Sequence, residues 1–223
     1  MTKYIRTARV AAATSVLLAA SITFAQAPAG RGPGGPATPP PPPTAGAKLD
    51  VMEGSSATYR VTEQLAGVSF PNDAVGTTDK VTGAITIAAD GTIAPGSKLV
   101  ISLKELKSDQ EMRDGYVRGR TLETDKFPDA VFVPTKIDGL PRMIPATGQV
   151  GVSLSGDLTI HGVTKPVIFQ GIATMNPRDS TVAGRAQANL SFSAFGITRP
   201  TLTRLVSVDD KIVLELVYKF KRS

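Results

Sequence analysis

The chain has no cysteine and no tryptophan, one histidine, and aromatic side chains at only 5% of its 223 positions. Without thiols there is no disulfide framework, no thiolate metal site and no lipid anchor on a modified cysteine. A domain of this size can build its own core without such staples. A single histidine, His161, cannot assemble a zinc or copper cluster and leaves any nucleophile one candidate base. Ser69, Ser153 and Ser191 stand in strand-like stretches with no G-x-S-x-G turn around them. Gly32, Gly34 and Gly35 precede no helix, so there is no phosphate-binding loop. Positive charge is also thin. The formal net charge is +6, but Lys3, Arg6 and Arg9 supply three of those charges within the first few residues. The remaining excess is too small and scattered for a nucleic-acid footprint, and Lys219, Lys221 and Arg222 read as a solvated strand end. No nucleic-acid partner and no cofactor is expected.

The N-terminal residues have the form of an export signal. The basic start is followed by an apolar run from Val10 to Ala20 and by the small residues of Ala25-Gln26-Ala27. The run falls short of the ~20 residues that a membrane span needs, so no integral membrane segment is expected after cleavage. Residues 1–27 are therefore taken as a signal peptide cut after Ala27 or Ala25, and the mature chain is expected in the periplasm. Residues 28–46 are a Pro/Gly-rich stretch, with a proline run from Pro39 to Pro43, and are expected to form a disordered linker.

From residue 47 to 223 the pattern is that of one all-β domain. Apolar residues alternate with polar ones at Leu99, Ile101 and Leu103, at Val152, Leu154, Leu158 and Ile160, and at Ala186, Ala188, Leu190 and Phe192. The same period runs through Ile212, Leu214, Leu216, Tyr218 and Phe220. Turn signals at Asp90-Gly91, Asp138-Gly139, His161-Gly162, Asn176-Pro177 and Asp209-Asp210 separate these runs. One segment departs from the pattern. Ser108-Asp109-Gln110-Glu111 has capping-box form, which predicts one short helix over residues 109–118, stopped near Gly119.

Strands with one apolar face and a single helix must pack their faces against each other, as a sandwich or a closed antiparallel barrel of about eight strands. Small residues at Ala84, Ala88, Gly156, Gly171, Ala173, Ala186 and Ala188, and the lack of tryptophan, favour a hollow interior. A fully packed interior stays open on these grounds. The acidic residues around the helix (Asp109, Glu111, Asp114, Glu123, Asp125 and Asp129) are explained by capping and by pairing with Arg113, Arg118, Arg120 and Lys126. His161 is read as a turn residue whose ring bonds nearby backbone. No catalytic or metal-binding residue is therefore assigned. What remains is an apolar concavity suited to a long apolar ligand. The ligand-binding residues expected from alternation are Val68, Phe70, Leu99, Ile101, Leu103, Phe132, Leu158, Phe169, Phe192, Leu214 and Leu216, with residues 108–128 as a lid.

The chain resembles the YceI-like family of exported proteins with a lipocalin-like barrel. The resemblance runs from Ser56 to Lys221 and is carried by Val68-Ser69-Phe70, Val81-Thr82-Gly83, Leu106-Lys107-Ser108 and Arg113-Asp114. It continues through Leu122-Glu123-Thr124-Asp125-Lys126-Phe127-Pro128, Ala130-Val131-Phe132 and the hairpin from Gly156 to Val167, then Phe195-Gly196-Ile197 and Val208-Asp209-Asp210-Lys211-Ile212. It implies a lipocalin-like antiparallel barrel that binds a polyisoprenoid, an isoprenoid quinone or another amphiphilic lipid, without catalysis or metal. Family members often carry an arginine three residues before the Phe-Gly-Ile block, where this chain has Phe192. Where that arginine meets a polar head group in relatives, Phe192 implies a less charged ligand. The competing reading is an envelope stress or interaction scaffold with a packed barrel, and a homodimer is left open.

Overall fold

The computed structural model describes residues 46–140, 148–201 and 203–223. The expected signal peptide, and the linker up to residue 45, lie outside the described residues.

The strands are β1 (Ala47–Val51), β2 (Ser56–Leu65), β3 (Asn72–Thr78), β4 (Val81–Ile87), β5 (Lys98–Ser102) and β6 (Asp129–Asp138). They continue with β7 (Gln149–Ile160), β8 (Val163–Asn176), β9 (Thr181–Ser191), β10 (Leu205–Val208) and β11 (Lys211–Arg222). Every pairing is antiparallel, and the sheet closes on itself through β1 and β11. Three of the staves are interrupted strands. β11 pairs with β2 over Val213–Val217 and with β1 over Phe220–Arg222, so β1 and β2 succeed each other along one edge. β3 and β4 do the same opposite them, and β10 continues the line of β11 past the Asp209-Asp210 corner. The result is a closed barrel of eight staves with one short helix, as the alternation predicts. Closure removes the free edges of a long sheet.

Local chemistry explains the joints. His161 and Gly162 both have positive φ (54° and 75°), which a two-residue hairpin of right-twisted strands requires, and β7 passes directly into β8 there. In β6 the register slips between Pro134 and Lys136. Proline has no amide to give the ladder, so a bulge is where a strand can hold one.

The helix differs from the capping-box expectation. α1 spans only Glu111–Tyr116 and has Gln110, not Ser108, at its N-cap with no side-chain cap bond. Ser108 is drawn elsewhere: its amide and hydroxyl both donate to Asp114 Oδ1, at 2.8 and 2.6 Å. Nor does Gly119 stop the chain. A π-helical turn runs from Val117 to Thr121, and the amide of Leu122 donates to the Val117 carbonyl at 2.8 Å.

Candidate ligand cavity

The barrel interior is not filled. It holds a cavity of about 1030 Å³, at the upper end of the range for small-molecule sites. Its wall is the hydrophobic core itself. Leu99 and Phe132 face each other across the β5–β6 ladder, and Phe132 is paired in turn with Leu158 on β7. All three are almost wholly buried yet line the cavity. Phe169 meets Phe132 edge-on, with ring centroids 5.2 Å apart. Ile101 and Leu103 extend this wall toward the lid, and Leu214 and Leu216 of β11 line the opposite side. Phe192, placed in a strand by its alternation, instead opens the 3-10 turn Ser193–Phe195, and its buried ring still lines the cavity.

Val68 and Phe70 must be corrected. Both are exposed, at 46% and 77%, and neither lines the cavity. β2 ends at Leu65, Gly67 turns the chain at φ +80°, and β3 begins only at Asn72. Inward and outward alternation has no meaning on such a connection. The small residues also act differently from expectation. None of Ala84, Ala88, Gly156, Gly171, Ala173, Ala186 and Ala188 lines the cavity. The two glycines sit where strands pack closely: a Cβ on Gly156 would strike the Val133 carbonyl across the β6–β7 ladder, and one on Gly171 the Arg185 carbonyl and Ala186 across the β8–β9 ladder. On the barrel strands the small lining positions are instead Ala57, Ala74 and Ala130.

Sequence reasoning missed the polar end of the cavity. Tyr59, Glu63, Arg113 and Tyr116 contribute there, with Met112 and Val117 from the lid. Glu63 is buried, and its Oε1 receives Arg113 Nη2 at 3.0 Å. Arg113 also donates through Nη1 to Asp109. The Tyr59 phenol is pushed up to about 12, chiefly by burial, with the nearby carboxylates reinforcing the shift and Arg113 opposing it. The one available signal was Glu63 on an otherwise apolar inward register. Two further polar groups of residues 108–128 differ in their partners: Arg118 Nη1 donates to the Leu106 carbonyl at 2.7 Å, and the buried hydroxyl of Thr121, a cavity-lining residue, has none.

His161 lies away from this wall. Its Nε2 is 2.7 Å from Glu123 Oε2, so it bonds a carboxylate rather than the backbone, and its ring packs on Phe127 with centroids 4.7 Å apart. Among the described residues no His, Cys, Asp and Glu side chains gather as metal ligands would, and no helix is long and apolar enough to cross a membrane.

Comparison with known proteins follows the same lines. A UPF0312 protein of Pseudomonas putida is 34% identical over 121 residues, which are 51% of this chain and 59% of the relative. The chain thus spans about three-fifths of the length of that curated relative. A UPF0312 protein of Pseudomonas syringae pv. tomato is 30% identical over 141 residues, covering 60% of this chain and 69% of the relative. Among solved structures, the fold is similar to a polyisoprenoid binding domain from Saccharophagus degradans, with a TM-score of 0.57 and 14% identity over 79% of this chain and 98% of that one. It is equally similar to Burkholderia cenocepacia BcnA, with a TM-score of 0.57 and 18% identity over 76% of this chain and 99% of that one. The family model of the YceI-like domain matches residues 50–220, and the chain belongs to that family.

Proposed function

We propose that this protein is a non-catalytic carrier that holds a polyisoprenoid, or a lipid with a similarly long apolar chain, inside the barrel. The observation that carries the reading is a cavity of about 1030 Å³ whose wall is built from core aliphatic and phenyl side chains. Water gains little in such a space, whereas an apolar chain leaves water by entering it. A chain of about forty heavy atoms at ~0.3 kcal/mol each would bind with roughly 12 kcal/mol, which corresponds to nanomolar affinity. No charged clamp is needed to reach that figure. The resemblance to a polyisoprenoid binding domain supports the same ligand class. With the N-terminal residues read as an export signal, the carrier would work in the periplasm.

The test is to purify the exported protein without detergent and analyse its organic extract by mass spectrometry. A stoichiometric isoprenoid or isoprenoid quinone is expected. A protein that arrives empty and takes up no added polyprenol would return the balance to a scaffold role.

A further inference from the structure

The residues that both line the cavity and reach solvent mark its mouth: Asn72, Met112, Gly115, Arg120 and Arg204 are such residues. They come from three elements that meet at one end of the barrel. The connection from Leu65 to Asn72 is tied to the 204–206 segment by the Ala66 amide, which donates to the Arg204 carbonyl at 2.8 Å. α1 is tied to the same end by Arg113 on Glu63. The exposed large hydrophobic side chains concentrate here. Met112 is 87% exposed, Phe70 is 77% and Val206 is 66%, the three highest among the described residues, and Val68 stands beside Phe70. The others, such as Val133 and Ile168, are single residues on the outer wall, where isolated exposure is ordinary.

We infer that this rim docks on the interfacial zone of a lipid bilayer, so that cargo passes between membrane and cavity without crossing water. The inference rests on the carrier reading above. Two features select a bilayer over a protein partner. Met112 lines an open mouth and the other apolar tips stand on the connections beside it, so acyl chains can follow the opening inward where a solid protein face would leave it void. The charge is also complementary to phosphate. Arg120 and Arg204 make no ion pair among the described residues, whereas Asp109 and Asp73 are engaged by Arg113 and Arg60, leaving Glu111 as the rim's one unpaired carboxylate. Exposed apolar side chains with arginines at their base are the elements of interfacial binding.

The absence of tryptophan makes the test direct. Phe70→Trp places a single indole at the rim, and Ile168→Trp places one on the outer wall. With protein-free vesicles containing phosphatidylglycerol, the Phe70→Trp emission is expected to shift to shorter wavelength and to be quenched by brominated lipid, while Ile168→Trp is unchanged. Added salt should weaken docking. Phe70→Ser combined with Val206→Ser should slow transfer of a fluorescent polyprenol between vesicles by roughly tenfold or more. The same variant should take up polyprenol from dilute aqueous dispersion as the wild type does. Equal response of the two tryptophans, or a shift that requires an added protein, would overturn the inference. Failure of the wild type to take up polyprenol from dispersion would instead count against the carrier reading, and the tryptophan shift reports on docking in either case.

Discussion

Arg113 Nη2 lies 3.0 Å from Glu63 Oε1, joining α1 to the barrel wall at a point where both side chains are largely shielded from water. This pair is the lid's link to the polar end of the cavity. Arg113→Met would leave the Glu63 carboxylate uncompensated in an apolar wall, a loss of about 3 kcal/mol. Glu63→Gln keeps an acceptor for the guanidinium and should lose only about 1 kcal/mol. Urea midpoints separate the two, and hydrogen exchange of residues 111–121 should quicken far more in Arg113→Met. Equal midpoints for both variants would show that the pair does not hold the lid.

Two phenols give the barrel a stability limit on the alkaline side. Burial pushes Tyr59 and Tyr218 up to about 12. In the unfolded chain a tyrosine titrates near 10. Because the folded values are the higher, the unfolded chain binds fewer protons over this window, so the contribution is whole below about pH 10 and is lost as pH rises toward 12. The thermal midpoint should therefore decline across that range. Tyr218→Phe should lessen the decline while lowering the midpoint at neutral pH, because the hydroxyl donates to the Ile172 carbonyl at 2.8 Å. A decline of the same size in that variant would remove Tyr218 from the account.

Close packing of β8 on β9 depends on Gly171. Gly171→Val puts new carbon against the Arg185 carbonyl and Ala186, and backbone cannot yield there without shifting the ladder. A loss of about 3 kcal/mol or more is expected. Gly151→Val is the matched control, since a Cβ at Gly151 meets nothing within 4 Å. Comparable denaturation midpoints for the two variants would contradict this assignment of Gly171.

The barrel class and nine of the eleven expected lining residues were legible in the sequence because alternation reports inward registers wherever a strand is continuous. Leu99, Leu158 and Leu216 follow from that rule. Val68 and Phe70 do not, because the chain leaves the sheet after Leu65 and the period loses its reference. The Ser108 capping box failed for a similar reason. It considers only Glu111, three residues on, whereas the fold brings Asp114 within 2.6 Å of the serine hydroxyl. Small residues misled in another way: Gly171 and Ala186 are small so that strands can approach, while the hollow depends on Ala57, Ala74 and Ala130. The Glu63–Arg113 pair joins residues fifty positions apart, beyond the reach of any local pattern.

Filling the cavity tests the carrier reading without burying a charge. Ala130 lines the wall on β6, beside Ile101 of β5. Ala130→Phe adds a ring to space that is already empty, so the apolar ring gains burial and the overpacking strain of a filled core is avoided. Stability should change by less than about 1 kcal/mol, while the lost volume should reduce lipid loading of the purified protein by roughly tenfold or more. Val133→Phe, on the exposed outer face of the same strand, should load as the wild type does. Loading should also be nearly independent of ionic strength, because the contacts that hold the chain are apolar and salt screens only charge. Undiminished lipid in a well-folded Ala130→Phe protein would mean that the cargo, if any, lies outside the barrel, and the cavity would lose its claim to be the binding site.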